Sequence, residues 1–207
     1  MKKIMFNNKY GLNQAVIEGR KTMTHRVLFL SEADEEYLDQ AFDWDLRESV
    51  ILDRYAEYKV GEIVAVAESY EDVCFTHCKW LTIQSFAIGK QLGELQKEKG
   101  WTNKMNVRAD LMPSNICITD RKIERLHSIS AEDCLKEGVM IDPYTGFYFV
   151  PNLYLHRRTK NTAGPTLFEY PEAAYYSLCK KLRMVLDNAA NPYTVAYTFE
   201  HLKGGAQ

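Results

Sequence analysis

The chain has 207 residues, is 46% hydrophobic and carries a formal net charge of −2. That length and apolar content allow one domain with a substantial core, or at most two small ones. No apolar run approaches the roughly 20 residues a membrane helix needs. The opening Met1-Lys2-Lys3-Ile4-Met5-Phe6 gives way at once to Asn7-Asn8-Lys9, unlike a secretory leader. Five irregularly spaced cysteines suit reduced thiols, so a cytoplasmic protein with no membrane partner is expected.

Residues 10–18 read as a short helix, with Leu12, Ala15 and Val16 on one face at helical spacing. Gly19 stops it, because glycine tolerates the left-handed exit that other residues resist. Arg20-Lys21-Thr22-Met23-Thr24-His25-Arg26 follows and leads into the apolar strand Val27-Leu28-Phe29-Leu30. A lysine, two threonine hydroxyls and an arginine within six residues can bind a phosphate, a carbonyl or a base edge. The simpler reading is a helix stop and a solvated basic strand. Side chains alternate along a regular strand, so Lys21 and Thr24 share one site only if the backbone between them is irregular.

Residues 31–57 hold ten acids against two bases, a net −8, which leaves +6 for the rest of the chain. Tyr37, Leu38, Ala41 and Phe42 recur at helical spacing, as do Leu46, Val50 and Ile51, so 32–57 is expected to be helical. It reads as an acidic insertion between two strands. A basic body suits an anionic ligand, and the insertion suits a basic protein partner or no partner at all.

The nearly continuous apolar run of residues 63–67 predicts a strand covered on both faces. Cys74, His77 and Cys78 have zinc-like spacing but no second ligand pair, so no metal and no cofactor is expected. Val107, Ala109 and Leu111 alternate against Asn106, Arg108 and Asp110, an extended pattern. Ile116 and Ile118 begin a strand whose parity changes by Ile123, predicting a bulge near Asp120.

Ser130 to Gly138 is a marked short helix, with Ser130 as N-cap, acids in the first turn and Gly138 at the exit. Glu137 stands in its last turn, where the helix dipole disfavours a carboxylate by a few tenths of a kcal/mol. Residues 139–169 read as a long loop with extended pieces. His156-Arg157-Arg158-Thr159-Lys160 beside Tyr154 could meet a phosphate backbone and a base. Pro171 starts a helix with a stripe of Ala174, Leu178, Leu182, Val185 and Leu186. Tyr193, Val195, Tyr197 and Phe199 alternate with polar residues in a last strand, and the tail from Lys203 is expected to be loose.

Gly19-x-Lys21-x-x-Thr24-x-Arg26 resembles the G-x-K-x-x-[E/T]-x-R motif of the ASCH family, whose domains are PUA-like. Val60-Gly61-Glu62, Met112-Pro113, Ile123 to Leu126, Ile129 through Gly138 and Asn191-Pro192 are similar to segments of longer bacterial and phage members. The resemblance implies an α+β fold, a PUA-like mixed β-barrel flanked by helices, as a single domain over 1–207. The insertion at about 31–57 and the loop region at about 139–169 have no counterpart.

It also implies a cleft beside Lys21 that binds RNA or other nucleic acid, with Gly19, Lys21, Thr24, Arg26, Arg108 and Glu137 as ligand-binding candidates. A branch similar in the motif deacylates N4-acetylcytidine with a Lys, a Thr and a Glu, which fall here on Lys21, Thr24 and Glu137. In an amidohydrolase of that kind, Lys21 activates the Thr24 hydroxyl and Glu137 protonates the leaving nitrogen, which requires a lowered lysine and a raised carboxyl pKa. Nucleic-acid or nucleotide binding, nucleoside deacylation and protein interaction through the acidic insertion are therefore the three expectations.

Overall fold

The computed structural model describes residues 1–40, 43–76, 92–155, 164–185 and 191–202. In chain order the strands are β1 (Lys3–Ile4), β2 (Met23–Val27), β3 (Ile63–Val66), β4 (Asn115–Arg125), β5 (Met140–Ile141), β6 (Tyr148–Phe149) and β7 (Tyr193–Leu202). The helices are α1 (Leu12–Ile17), α2 (Glu32–Asp39), α3 (Trp44–Tyr55), α4 (Tyr70–Thr76), α5 (Leu92–Leu95), α6 (Ala131–Lys136) and α7 (Pro171–Lys181). The class is α+β. One mixed five-stranded sheet runs β1-β3-β4-β7-β2, with β1 parallel to β3 and every other pair antiparallel. β5 and β6 form a separate hairpin.

The two longest strands, β4 and β7, pair along nearly their whole length, and the register slips between Ile118 and Asp120. The parity change in the sequence is therefore a real irregularity in the ladder. β3 is covered on both faces, as its apolar run requires. Val64 and Val66 join the main core with Ile116, Ile118, Val195 and Phe199. Ala65 and Ala67 face a second cluster with Tyr70, Val73, Leu95, Leu111 and Met112. The two clusters share β3, so no boundary near residue 100 separates them.

The helical expectation for 32–57 holds in two pieces: α2 ends at Asp39, and α3 begins after Asp43, which holds a left-handed φ of 54°. Ala41 and Phe42 lie outside the described residues. The alternation at 106–111 does not make a strand. Two 3-10 turns, Lys104–Asn106 and Ala109–Leu111, occupy it, because Asn103 caps the first through its side chain and Leu111 packs into the second cluster. Local side-chain capping competes well with an extended segment that pairs with no described strand.

The acidic insertion docks on β4. Asp53 pairs with Arg121 at 2.7 Å, Asp39 with Arg125 at 2.8 Å, and the Glu48 carboxylate accepts from the Ile123 amide. Two of its ten acids thus pair with bases elsewhere in the chain. Among the described residues, no helix is long and apolar enough to cross a membrane.

A candidate binding cavity

Three helix exits frame the site. α1 ends in a Schellman turn: Gly19 N–H donates to Val16 O at 3.0 Å and Arg20 N–H to Ala15 O at 2.9 Å, with Gly19 at φ 74°. α6 ends the same way, with Gly138 N–H on Leu135 O and Val139 N–H on Cys134 O, and φ 100° at Gly138. A Cβ at Gly138 would meet Leu12 Cδ2 at 3.3 Å, so glycine lets this exit press against α1. Thr22 N–H then donates to Lys136 O at 2.9 Å and ties the two exits together. The backbone from Arg20 to Thr22 is irregular and β2 starts only at Met23, so Lys21 is not bound by strand alternation.

Lys21 and Glu137 meet, although 115 positions lie between them in the sequence, and both are buried. The Lys21 ammonium donates to the Glu137 carboxylate, to Met23 O at 2.8 Å and to Glu137 O at 2.9 Å. Those three acceptors use every N–H of an ammonium, a set that a neutral amine could fill only in part. The carboxylate also accepts from the His25 amide at 2.6 Å and from His25 Nδ1 at 2.6 Å. Tyr175 OH approaches it at 3.5 Å, and the Tyr175 ring lies edge-on to His25 at 5.9 Å. On its far side, His25 Nε2 meets Glu124 Oε1 at 2.5 Å, and Glu124 continues to Lys122 at 3.0 Å.

The charges follow from those contacts. Burial works against ionised Glu137, but the Lys21 ammonium and the His25 bonds outweigh it and hold the carboxyl at about 2. Burial also works against protonated His25, yet the bonds to Glu124 and Glu137 raise its pKa to about 9. At neutral pH both ring nitrogens therefore donate. Burial lowers the pKa of Lys21, and the Glu137 carboxylate opposes it.

A cavity of about 550 Å³ opens beside this cluster. Lys21, Thr24, His25 and Glu137 line one side; Phe6, Phe29, Leu178, Leu182 and Met184 supply apolar surface; Arg26, Lys104 and Arg183 add positive charge, and Glu57 adds one further acid. No described residue hydrogen-bonds the Thr24 hydroxyl. Arg26 Nη2 donates to Met5 O at 2.8 Å, while its buried Nε has no partner among the described residues.

Four of the six sequence candidates, Lys21, Thr24, Arg26 and Glu137, line this one cavity. Gly19 shapes the exit and does not line this cavity. Arg108 is the correction: it is exposed and clamped to Asp110 at 2.5 Å, two residues along its own 3-10 turn, and does not line the cavity. Sequence reasoning missed His25, Glu124 and Tyr175. The register carries the signal, since His25, Ala196 and Lys122 stand in one row across β2, β7 and β4, with Glu124 two positions further on the Lys122 face. The methyl of Ala196 leaves room for His25 and Glu124 to meet. His77, Cys78 and the 156–160 basic cluster lie outside the described residues. Among the described residues, no group of three or more His, Cys, Asp or Glu side chains could hold a metal.

Comparison with protein-family models, curated proteins and solved structures finds no match to this chain.

Proposed function

We propose that this chain is an ASCH-type, PUA-like module that binds RNA or a nucleotide by taking one base into the Lys21 cavity. The observation that carries this reading is the composition of the cavity wall. Polar side chains (Lys21, Thr24, His25, Glu137) stand along one side, with the Thr24 hydroxyl and the remaining lone pairs of the Glu137 carboxylate open to a ligand, and apolar side chains flank them. A planar ring with a polar edge needs that combination. Phe29, 88% exposed and lining the same cavity, offers an aromatic face for stacking. The ion pair favours recognition over proton transfer, because a carboxyl held at about 2 stays ionised through the physiological range. The PUA-like assignment draws support from the mixed sheet and from Arg26, which reaches from edge strand β2 to the carbonyl just beyond edge strand β1.

The test is calorimetric titration with the four ribonucleotides and with short single-stranded RNA, repeated on Thr24→Val. Binding that weakens in the variant supports the reading. Absence of binding to all of them refutes it.

A second reading, amidohydrolysis of an acylated nucleoside, is favoured by one observation. The Thr24 hydroxyl lines the cavity without a hydrogen bond to any described residue, beside a lysine whose pKa burial lowers. Glu137 runs against that reading, since protonating a leaving nitrogen needs a raised carboxyl pKa. Release of cytidine from N4-acetylcytidine, lost in Thr24→Val, would establish turnover.

A further inference from the structure

The ligand's charge can be read from the third helix exit, building on the base-binding reading above. α7 closes with the same Schellman turn as α1 and α6: Arg183 N–H donates to Lys180 O at 3.1 Å and Met184 N–H to Cys179 O at 3.0 Å. The first two turns place glycine at the left-handed position; this one places Arg183, at φ 58°. A non-glycine residue there is disfavoured. Its exposed side chain lines the cavity, with no ion pair or hydrogen bond to a described residue.

Across the same cavity, Arg26 uses Nη2 on Met5 O and leaves Nε buried without an acceptor among the described residues. Lys21 cannot serve a phosphate, because its three N–H bonds are taken by Met23 and Glu137. Lys104 adds positive charge, but its ammonium already meets Phe6 O and Asn8 Oδ1. Arg26 and Arg183 therefore hold most of the unused donors, Lys104 keeps one further N–H, and Glu57 is the lone lining acid outside the Lys21–Glu137 pair.

We propose that the cavity contains a phosphate subsite formed by Arg26 and Arg183, so that its ligand is a phosphorylated nucleoside with the base against Thr24 and Glu137. Arginine suits the role, since its planar fork offers several donors to phosphate oxygens. The phosphate belongs either to a free nucleotide or to an RNA backbone.

Calorimetry at fixed salt tests this with each ribonucleoside, its 5′-monophosphate, a dinucleoside monophosphate and inorganic phosphate, on the wild type and Arg183→Gly. The wild type should prefer monophosphate over nucleoside by about tenfold, the scale of one charge-assisted hydrogen bond. Arg183→Gly should lose that preference and keep its nucleoside affinity. Its melting temperature should be unchanged or higher by about 2 °C, because glycine relieves the left-handed residue. A dinucleoside monophosphate that binds tighter than the mononucleotide identifies RNA as the source; the reverse identifies a free nucleotide. Equal wild-type affinity for nucleoside and monophosphate, or a preference that survives Arg183→Gly, overturns the subsite while leaving the base pocket standing. Arg183-dependent binding of inorganic phosphate with no nucleoside binding supports the subsite and refutes the base reading. No binding of any probe refutes both.

Discussion

Removing Glu137 should harm this protein more than removing Lys21, although the two form one buried pair. In Lys21→Met, the carboxylate loses one ammonium and keeps the His25 amide and imidazolium, both at 2.6 Å. In Glu137→Gln, Lys21 and His25 face each other across the site with no shared counter-charge. The downward displacement of the Glu137 carboxyl from its ordinary 4.5 to about 2 corresponds to about 3 kcal/mol at 1.36 per unit, and the side chain is 5% exposed, so solvent screens it little. His25, raised from 6.5 to about 9, gives a similar figure for the same contact, and the two are not additive. Stripping one partner from a buried pair costs roughly 3–5 kcal/mol. Glu137→Gln should therefore lose about 3–5 kcal/mol and Lys21→Met about 1–3. Urea denaturation followed by circular dichroism measures both, with an unchanged m-value as the control. The contribution of the cluster should be full between about pH 4.5 and 6.5. It falls in acid as Glu137 takes up a proton between 4.5 and about 2, and in base as His25 loses one between 6.5 and about 9. Glu137→Gln should shrink the acid limb to the part that Glu124, also held low by His25 and Lys122, contributes. A Lys21→Met loss equal to or larger than that of Glu137→Gln would refute this account of the charges.

Glu68 is buried, with Oε1 unpartnered, and burial, with Asp72 second, raises its carboxyl to about 7. Its contribution is therefore full below about pH 4.5 and lost as pH rises through 7; Glu68→Gln should add about 1–3 kcal/mol at pH 8 and little at pH 4, by denaturation at both. Thr24→Val should keep the melting temperature within a few degrees and weaken nucleotide binding by about three- to tenfold, one neutral hydrogen bond's worth; unchanged affinity on titration would remove Thr24 from the site. Gly138→Ala should cost about 1–3 kcal/mol, because φ is 100° and the new Cβ meets Leu12 at 3.3 Å; a neutral effect on thermal unfolding would count against the close α1–α6 exit packing.

The local signals that survive folding are those written in a few adjacent residues. Ser130 does cap α6, accepting from the Asp133 amide at 3.1 Å, and Gly19 and Gly138 do make the left-handed exits. Pro171 opens α7, and the parity change near Asp120 is a register slip. The misleading signals were also local. The alternation at 106–111 looked extended, but no described strand pairs with it, and 3-10 turns form there. Arg108 looked like a cavity residue and instead pairs with Asp110 at the surface, outside the cavity.

Sequence alone determined where the chain turns and which residues favour helix ends, because capping and left-handed exits are settled over three or four residues. Only the tertiary structure decided that Glu137, slightly disfavoured at its own helix end, meets Lys21 and His25 in a buried, ionised cluster. That meeting depends on a sheet order in which β7 separates β2 from β4, and on two helix exits pressed together through Gly138. Contacts across more than 100 residues of chain leave no periodicity to read, and their electrostatic strength comes from burial, which is a property of the fold.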